Sequence, residues 1–276
     1  MNQESFDTLK DFIERKLGIK IPQSKQIMLE SRLAKRVRIL GLNSYEEYCS
    51  FVFGPEGAKG EIQKLIDAVT TNETDFFRES SHYDLLADQI LPDLINDQGQ
   101  REINIWSVAA ATGQEAYTLA MVMENFIQSH KGITYRILAT DISDTALNIG
   151  ETGIYTEHQA KKIPSKDKKA FCMQSKDPSL KSIRFKPYIR AKIQFRHLNL
   201  MDANFQIKRE YHIVFCRNVF IYFEHSTQVK VLKNVYEHLA PGGYLFMGHS
   251  ENISSARMDL QSIAAATYRK PAIGNA

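Results

Sequence analysis

The residues best placed to do chemistry in this chain are polar ones that appear abruptly where apolar runs end. In INIWSVAAATGQEAYTLAMVM, residues 103 to 123, an apolar strand gives way to the small turn AATG and then to a helix opening near Gln114. Ala109, Ala110, Ala111 and Gly113 keep side chains out of the turn, so a ligand can lie against the backbone while free N–H groups open the helix. The turn is not GxGxxG: it has a single glycine and sets the carboxylate of Glu115 near the helix start, which disfavours an anionic dinucleotide. A ligand with a cationic head and no phosphate suits it better, and a sulfonium such as S-adenosylmethionine is the candidate. Asp141 follows a second strand, Arg136 to Ala139, where an acid can accept hydrogen bonds from both hydroxyls of a ribose or cap a helix starting near Ser143. Asn199, Leu200 and Asp202 follow a third strand, Lys192 to Leu198, and Arg217 with Asn218 ends a fourth, Tyr211 to Cys216. Polar residues at the carboxyl ends of such strands sit where open α/β sheets keep their ligand crevice. Tyr222, inside the run VFIYF, reads on its own as a core tyrosine.

These residues need elements to hold them. From Ser5 to about Ile95 the pattern is helical, with Phe6, Leu9, Phe12, Ile13 and Leu17 forming one stripe that stops at Gly18. A second helix, Pro22 to Leu40, follows; from Lys20 to Leu40 the basic residues Lys20, Lys25, Arg32, Lys35, Arg36 and Arg38 face the single acid Glu30. That basic face is either simply solvated or a docking surface for an acidic helical partner. Ser44 and Glu47 resemble a capping box ahead of a third helix, and Gly60 to Val69 reads as a fourth. The segment TTNETDFFRES, residues 70 to 80, sets Thr71, Asn72, Thr74 and Asp75 against Phe76, Phe77 and Arg78, where a plain linker would be uniformly polar.

Beyond Asp97 strands and helices alternate, as in an α/β sheet. Residues 151 to 190 interrupt the alternation with a helix and short basic segments that look like antiparallel strands. A helix from Ser226 to Leu239 then leads through Pro241, Gly242 and Gly243 to a fifth strand, YLFMGHS, and Ala264 to Arg269 completes a final strand pair. The chain has 276 residues, 43% hydrophobic and 24% charged, with net charge +3, which makes no demand for nucleic acid. Cys49, Cys172 and Cys216 are scattered and odd in number, arguing against a disulfide framework or a zinc site and for a reducing cytoplasm. No segment has the length and apolarity to span a bilayer.

The strings TTNETDFFRES, AAATGQEAYTLAM, ATDIS, FCRNVFIYF and LAPGGYLFMGHSEN, in this order, resemble those of the CheR family of chemotaxis receptor methyltransferases over essentially the full length. The resemblance implies a class I S-adenosylmethionine-dependent fold: α/β, Rossmann-like, with a mostly parallel seven-stranded sheet, an all-α N-terminal domain and a small antiparallel β-subdomain insertion. The expected boundaries are 1–80 for the helical domain with its linker and 81–276 for the methyltransferase domain, with the insertion at about 172–192. By motif match, Asn72, Thr74 and Arg78 reach the cofactor, and Arg78 lies near its carboxylate and the methyl-transfer centre. Glu115 holds the amino end, Asp141 the ribose, Asn199 and Leu200 flank the adenine, and Arg217 and Asn218 lie beside the cofactor. Tyr222 matches the active-site tyrosine. Ala110, Gln114 and Ala116 depart from the family's usual first turn, and the hairpin DPSLKS lacks the glycine common in members that grip a receptor's C-terminal peptide.

The implied reaction moves a methyl group from S-adenosylmethionine to glutamate side chains on the cytoplasmic helices of chemoreceptors, with S-adenosylhomocysteine as product and no metal. The expected protein is a cytoplasmic monomer that meets its receptor through helix 22–40 and in part through the β-subdomain, without nucleic acid or membrane insertion. Two rivals are methylation of nucleic acid or small molecules, and a catalytically silent binding module. Against the first, there is no NPPY-like string and no proline precedes Cys216; against the second, Arg78, Asp141 and Tyr222 stand together.

Overall fold

The computed structural model describes residues 1–251 and 258–272. Asn252, which closes the GHSEN string, and the last residues of the expected second domain lie outside the described residues.

The first helices form because each has an apolar stripe and a closed end. In α1 (Gln3–Leu17) the Asn2 side chain accepts from Ser5 N–H at 2.9 Å, and Gly18 ends the helix at φ 69° with its N–H on Glu14 O. Helix α2 (Gln26–Ile39) buries only Leu29 and Leu33, so most of its circumference is solvated or touches other elements. Ser44 caps α3 (Tyr45–Val52) by accepting from Glu47 N–H, but the Glu47 carboxylate reaches back to Asn43 N–H, so the box closes one residue early. Helix α4 (Glu61–Val69) completes a core in which Phe6, Leu9, Ile13, Leu33, Tyr48 and Leu65 are fully buried.

Residues 70–80 are irregular, and α5 (Ser81–Leu85) continues through wide π-type turns to Asp97. The strands are β1 (Glu102–Val108), β2 (Thr134–Asp141), β3 (Ile154–Thr156), β4 (Cys172–Gln174), β5 (Ser182–Phe185), β6 (Ile193–His197), β7 (Tyr211–Cys216), β8 (Leu239–Met247), β9 (Gln261–Ala264) and β10 (Thr267–Arg269). Between them lie α6 (Gln114–Ser129), α7 (Asp144–Thr152), α8 (Ser165–Phe171), α9 (Pro187–Arg190) and α10 (His225–Glu237).

Seven strands form one sheet in the order β6-β2-β1-β7-β8-β10-β9, parallel from β6 to β8 and antiparallel at β10 and β9. Its strands read as near-continuous apolar runs because both faces are covered. Ile103 and Ile105 of β1 pack with Leu119 and Met123 of α6, while Trp106 and Val108 pack with Val231 and Val235 of α10. The strand order reverses between β1 and β7, which puts the ligand crevice at the carboxyl ends of those two strands.

Three details differ from the sequence expectations. The small antiparallel sheet, ordered β3-β5-β4, takes Ile154–Thr156 from outside the 172–192 window, because a strand of three residues leaves too short a pattern to read. Strand β8 starts at Leu239 rather than Tyr244: Gly242, at φ 73°, sits inside a register irregularity instead of a turn before the strand. The final pair is a hairpin, β9 and β10, joined at Ala265 and Ala266.

Candidate active site

A cleft of about 530 Å³ opens at the crevice, between the sheet's carboxyl edge and the helical domain. Asn72, Thr74, Arg78, Glu115, Asp141, Asn199, Leu200, Arg217, Asn218 and Tyr222 all line it, brought together from segments far apart in the chain. No metal is needed to explain this donor set.

Asp141 ends β2 and is held by main chain alone. Its Oδ2 accepts from Ala111 N–H at 2.8 Å and its Oδ1 from Ser143 N–H at 2.9 Å. Burial pushes its carboxyl above the ordinary value, and these N–H groups pull it back. Each oxygen keeps a second lone pair, so the carboxylate can still accept two hydroxyls. The small turn makes the arrangement possible: Ala109 and Ala111 both adopt left-handed backbone, at φ 54° and 49°, which points the Ala111 N–H at Asp141.

Glu115, in the first turn of α6, is gripped differently. Ser107 Oγ donates to its Oε1 at 2.7 Å, and Arg217 Nε to its Oε2 at 2.8 Å. Arg217, only 6% exposed, is enclosed: Nη1 shares its two hydrogens among Arg78 O, Glu79 Oε2 and His82 Nδ1, Nη2 donates to Tyr83 Oη, and the guanidinium lies over the Tyr83 and Phe215 rings. Burial opposes its charge, but Glu115 and the other acceptors raise its pKa above the ordinary value. Arg217 therefore acts on the wall as a strut, with its donors turned into the protein.

The interdomain segment supplies the opposite wall. Arg78 makes only a 3.4 Å hydrogen bond to Glu73 O and no ion pair among the described residues, so its guanidinium is available in the cleft. Asn72 Nδ2 donates to Ser143 Oγ at 3.3 Å, and Thr74 lines the cleft beside it. Phe77 and Glu79 flank Arg78 at φ 53° and 56°, a bend fixed by Phe77 N–H on Thr118 Oγ1 and by buried Phe76 against Tyr155.

Asn199 faces away from a ligand role for its amide. Its Nδ2 donates to Lys16 O at 2.7 Å and its Oδ1 accepts from Met201 N–H, so the side chain ties α1 to the loop, and Leu200 with the loop backbone offers the flat wall. Asn218, at φ 58°, donates from Nδ2 to Glu79 Oε1 at 3.2 Å. Tyr222 is not fully in the core: its half-buried ring packs against the cluster around Trp106 and Val231 while lining the cleft, and its hydroxyl has no protein hydrogen-bond partner among the described residues.

Sequence reasoning missed the residues that hold this wall. Glu251 accepts from Gly248 N–H, Asn218 N–H and Phe220 N–H at 2.7, 2.9 and 2.8 Å, organising the turn that carries Asn218 and Tyr222. The string GHSEN contained it, and an acid in a glycine turn was the available signal. Lys20 N–H donates to Tyr222 O at 2.9 Å beside an isolated Ile19–Phe223 bridge, and no local pattern announces such a contact.

The cleft offers carboxylates for an ammonium and a ribose, a guanidinium for a carboxylate, and an apolar wall for a base. That set fits S-adenosylmethionine, and with only Gly113 in its turn it remains a poor pyrophosphate cradle. Residues 4–70 match the model of the CheR methyltransferase all-alpha domain, and residues 72–269 match that of the CheR methyltransferase SAM binding domain. The chain is 34% identical over 276 residues to the chemotaxis protein methyltransferase of Borreliella burgdorferi, covering 98% of this chain and 95% of that one. It is 35% identical to chemotaxis protein methyltransferase 2 of Pseudomonas aeruginosa, covering 96% and 92%, and 32% identical to the Escherichia coli chemotaxis protein methyltransferase, covering 92% and 86%. With both halves of the chain matched and the cleft built where a nucleoside ligand belongs, the chain belongs to the CheR methyltransferase family.

Proposed function

We propose that this protein transfers the methyl group of S-adenosylmethionine to glutamate side chains of methyl-accepting chemotaxis receptors, giving glutamyl methyl esters and S-adenosylhomocysteine. The observation that carries the reading is the convergence of Asp141, Glu115, Arg78 and Tyr222 on one cleft at the sheet's reversal point. When bound, S-adenosylmethionine supplies an electrophilic methyl on a positively charged sulfur. Asp141 accepts the ribose hydroxyls, Glu115 the ammonium, and Arg78 the carboxylate. A glutamate acceptor, with a pKa of about 4.3, is already ionised at neutral pH, so no general base is required. What remains for Tyr222 and Arg78 is to orient the acceptor, and for the cleft to exclude water while charge is neutralised. Labelled methyl transfer to receptor-containing membranes, released by mild base as an ester would be, tests the reading; label appearing instead in RNA would overturn it.

Receptor docking through residues 22–40 is part of this proposal, in a narrower form than the sequence implied. Arg36 forks onto the buried Glu61 at 2.9 and 2.6 Å, and Arg32 caps the end of α4 through Val69 O, Thr70 O and Thr71 Oγ1. Lys25, Lys35 and Arg38 make no ion pair among the described residues and remain to meet acidic receptor helices. Each exposed pair contributes only about 0–1 kcal/mol, so the effect is collective. Reversing all three charges is expected to raise the apparent KM for receptor several-fold at low salt, roughly within the few kT that surface potentials supply, and to fade as ionic strength rises. The basic β-subdomain is a second proposed contact, with Lys181 at φ 37° in its hairpin where family members often have glycine. A cytoplasmic, monomeric enzyme fits receptor helices on that side of the membrane; among the described residues no helix is long and apolar enough to cross one.

A further inference from the structure

The segment following Asp141 is held from the other domain. Ser143 is fully buried, and its N–H donates to Asp141 Oδ1 at 2.9 Å. Its hydroxyl donates to Asp67 Oδ1 at 2.9 Å while accepting from Asn72 Nδ2 at 3.3 Å and from Ala146 N–H at 3.2 Å. Thr145 Oγ1 adds a 2.7 Å bond to Asp67 Oδ2, and its N–H approaches Oδ1 at 3.4 Å. One turn earlier on α4, Gln63 Nε2 donates to Ile142 O at 2.9 Å. Ser143 is the local cap of α7, and a carboxylate from the helical domain backs that cap and approaches the Thr145 N–H, beside the positive end of the helix dipole.

The chemistry of the converging groups explains why an acid stands there. Two hydroxyls, the Thr145 N–H and, at 3.3 Å, the Gln63 amide all donate to Asp67; a carboxylate only accepts and has about four lone-pair sites for them, whereas an amide would set its NH₂ against one of them. The contact closes on Ser143, whose own N–H holds Asp141, and on Thr145 two residues further along the same segment.

We propose that Asp67 is a positioning residue for the cofactor: by holding Ser143 and Thr145 it fixes residues 142–145, so that Asp141 presents its remaining lone pairs to the ribose. The inference rests on the assignment of Asp141 to the ribose. Because α4 belongs to the helical domain, seating of that domain and affinity for the cofactor become linked, and such linkage is reciprocal.

Calorimetric titration of the full chain with S-adenosylhomocysteine, alongside ligand-free thermal unfolding, tests it with Asp67→Ala, Asp141→Asn and the two combined. Asp67→Ala is expected to raise Kd by about fivefold to thirtyfold in fully folded protein, the range for losing charge-assisted hydrogen bonds. In the Asp141→Asn background the same substitution should add less than about twofold, since its effect passes through that carboxylate. An unchanged Kd with a lowered melting temperature would mean that Asp67 only joins the domains, and a full additive loss in the Asp141→Asn background would mean that it acts by another route; either overturns the proposal. If Asp141→Asn alone leaves Kd at the wild-type value, the ribose assignment fails first. Should Asp67→Ala not fold, Thr145→Val cuts the 2.7 Å bond to Asp67 Oδ2 while leaving the Ser143 cap of α7 and its N–H on Asp141 in place, and the same outcomes apply with a smaller shift.

Discussion

The carboxyl ends of β2 and β7 solve one problem, keeping an ionised side chain at the rim of a buried cleft, in opposite ways. At the end of β2, Asp141 is 7% exposed and is held only by main-chain N–H groups. At the end of β7, Arg217 is 6% exposed and is surrounded by Glu115, Glu79, Tyr83 and His82. Backbone donors fix geometry without neutralising charge, so Asp141 keeps capacity for a ligand. The side-chain network neutralises Arg217 and leaves it little to offer outward. Burial alone therefore does not separate binding groups from scaffolding; the identity of the partners does.

If the contrast holds, removing Arg217 should strike stability first. Arg217→Met leaves Glu115 and Glu79 without their cation and is expected to cost about 3–5 kcal/mol, read as a lower denaturation midpoint. The same network answers to acid. Burial, then the neighbouring Arg217 charge, lowers the His82 pKa to about 4 despite Glu79. Unfolded, the imidazole titrates near 6.5, so between these values the unfolded chain binds the extra proton. Stability should be complete above about pH 6.5 and should fall by on the order of 3 kcal/mol as pH approaches 4. A His82→Phe variant whose loss over this window matches wild type would remove the histidine from the account.

At the β2 end the effect should move from stability to affinity. Asp141→Asn keeps one acceptor for the loop and is expected to weaken S-adenosylhomocysteine binding by about tenfold to a hundredfold, with a melting change smaller than that of Arg217→Met. Equal losses of stability in the two variants would erase the distinction between the strands. Tyr222→Phe should be gentlest: with no protein partner on the hydroxyl, melting and cofactor affinity stay put while kcat falls by up to about tenfold. A lower melting temperature with wild-type kcat would reveal a structural hydroxyl instead.

Much of this was legible because it is local. Gly18 as a helix stop, β7 from Tyr211 to Cys216 and the acid after β2 all follow from short-range pattern, and the strand ends put the site residues in one crevice. Roles were less legible than places. Arg36 and Arg32 share a basic run with Lys35 and Arg38, and only packing reveals that the first two are committed to Glu61 and to the end of α4. Asn199 likewise lies where expected, yet its amide serves Lys16 O. Which partner consumes a polar group depends on segments far away in sequence, and no window of residues contains that information.

The Lys20–Tyr222 contact has a bearing on inheritance. Tyr222, which lines the cleft, lies in the region matched by one family model, and its main chain is anchored by a segment matched by the other. Because the anchor runs from backbone to backbone, any residue but proline at position 20 can supply it, although the Lys20 side chain adds an ion pair to Glu224. Neutral drift can rewrite that stretch without severing the join, whereas trading either half for an unrelated module would sever it at once. Lineages can thus diverge widely in sequence and still transmit the two halves as one unit.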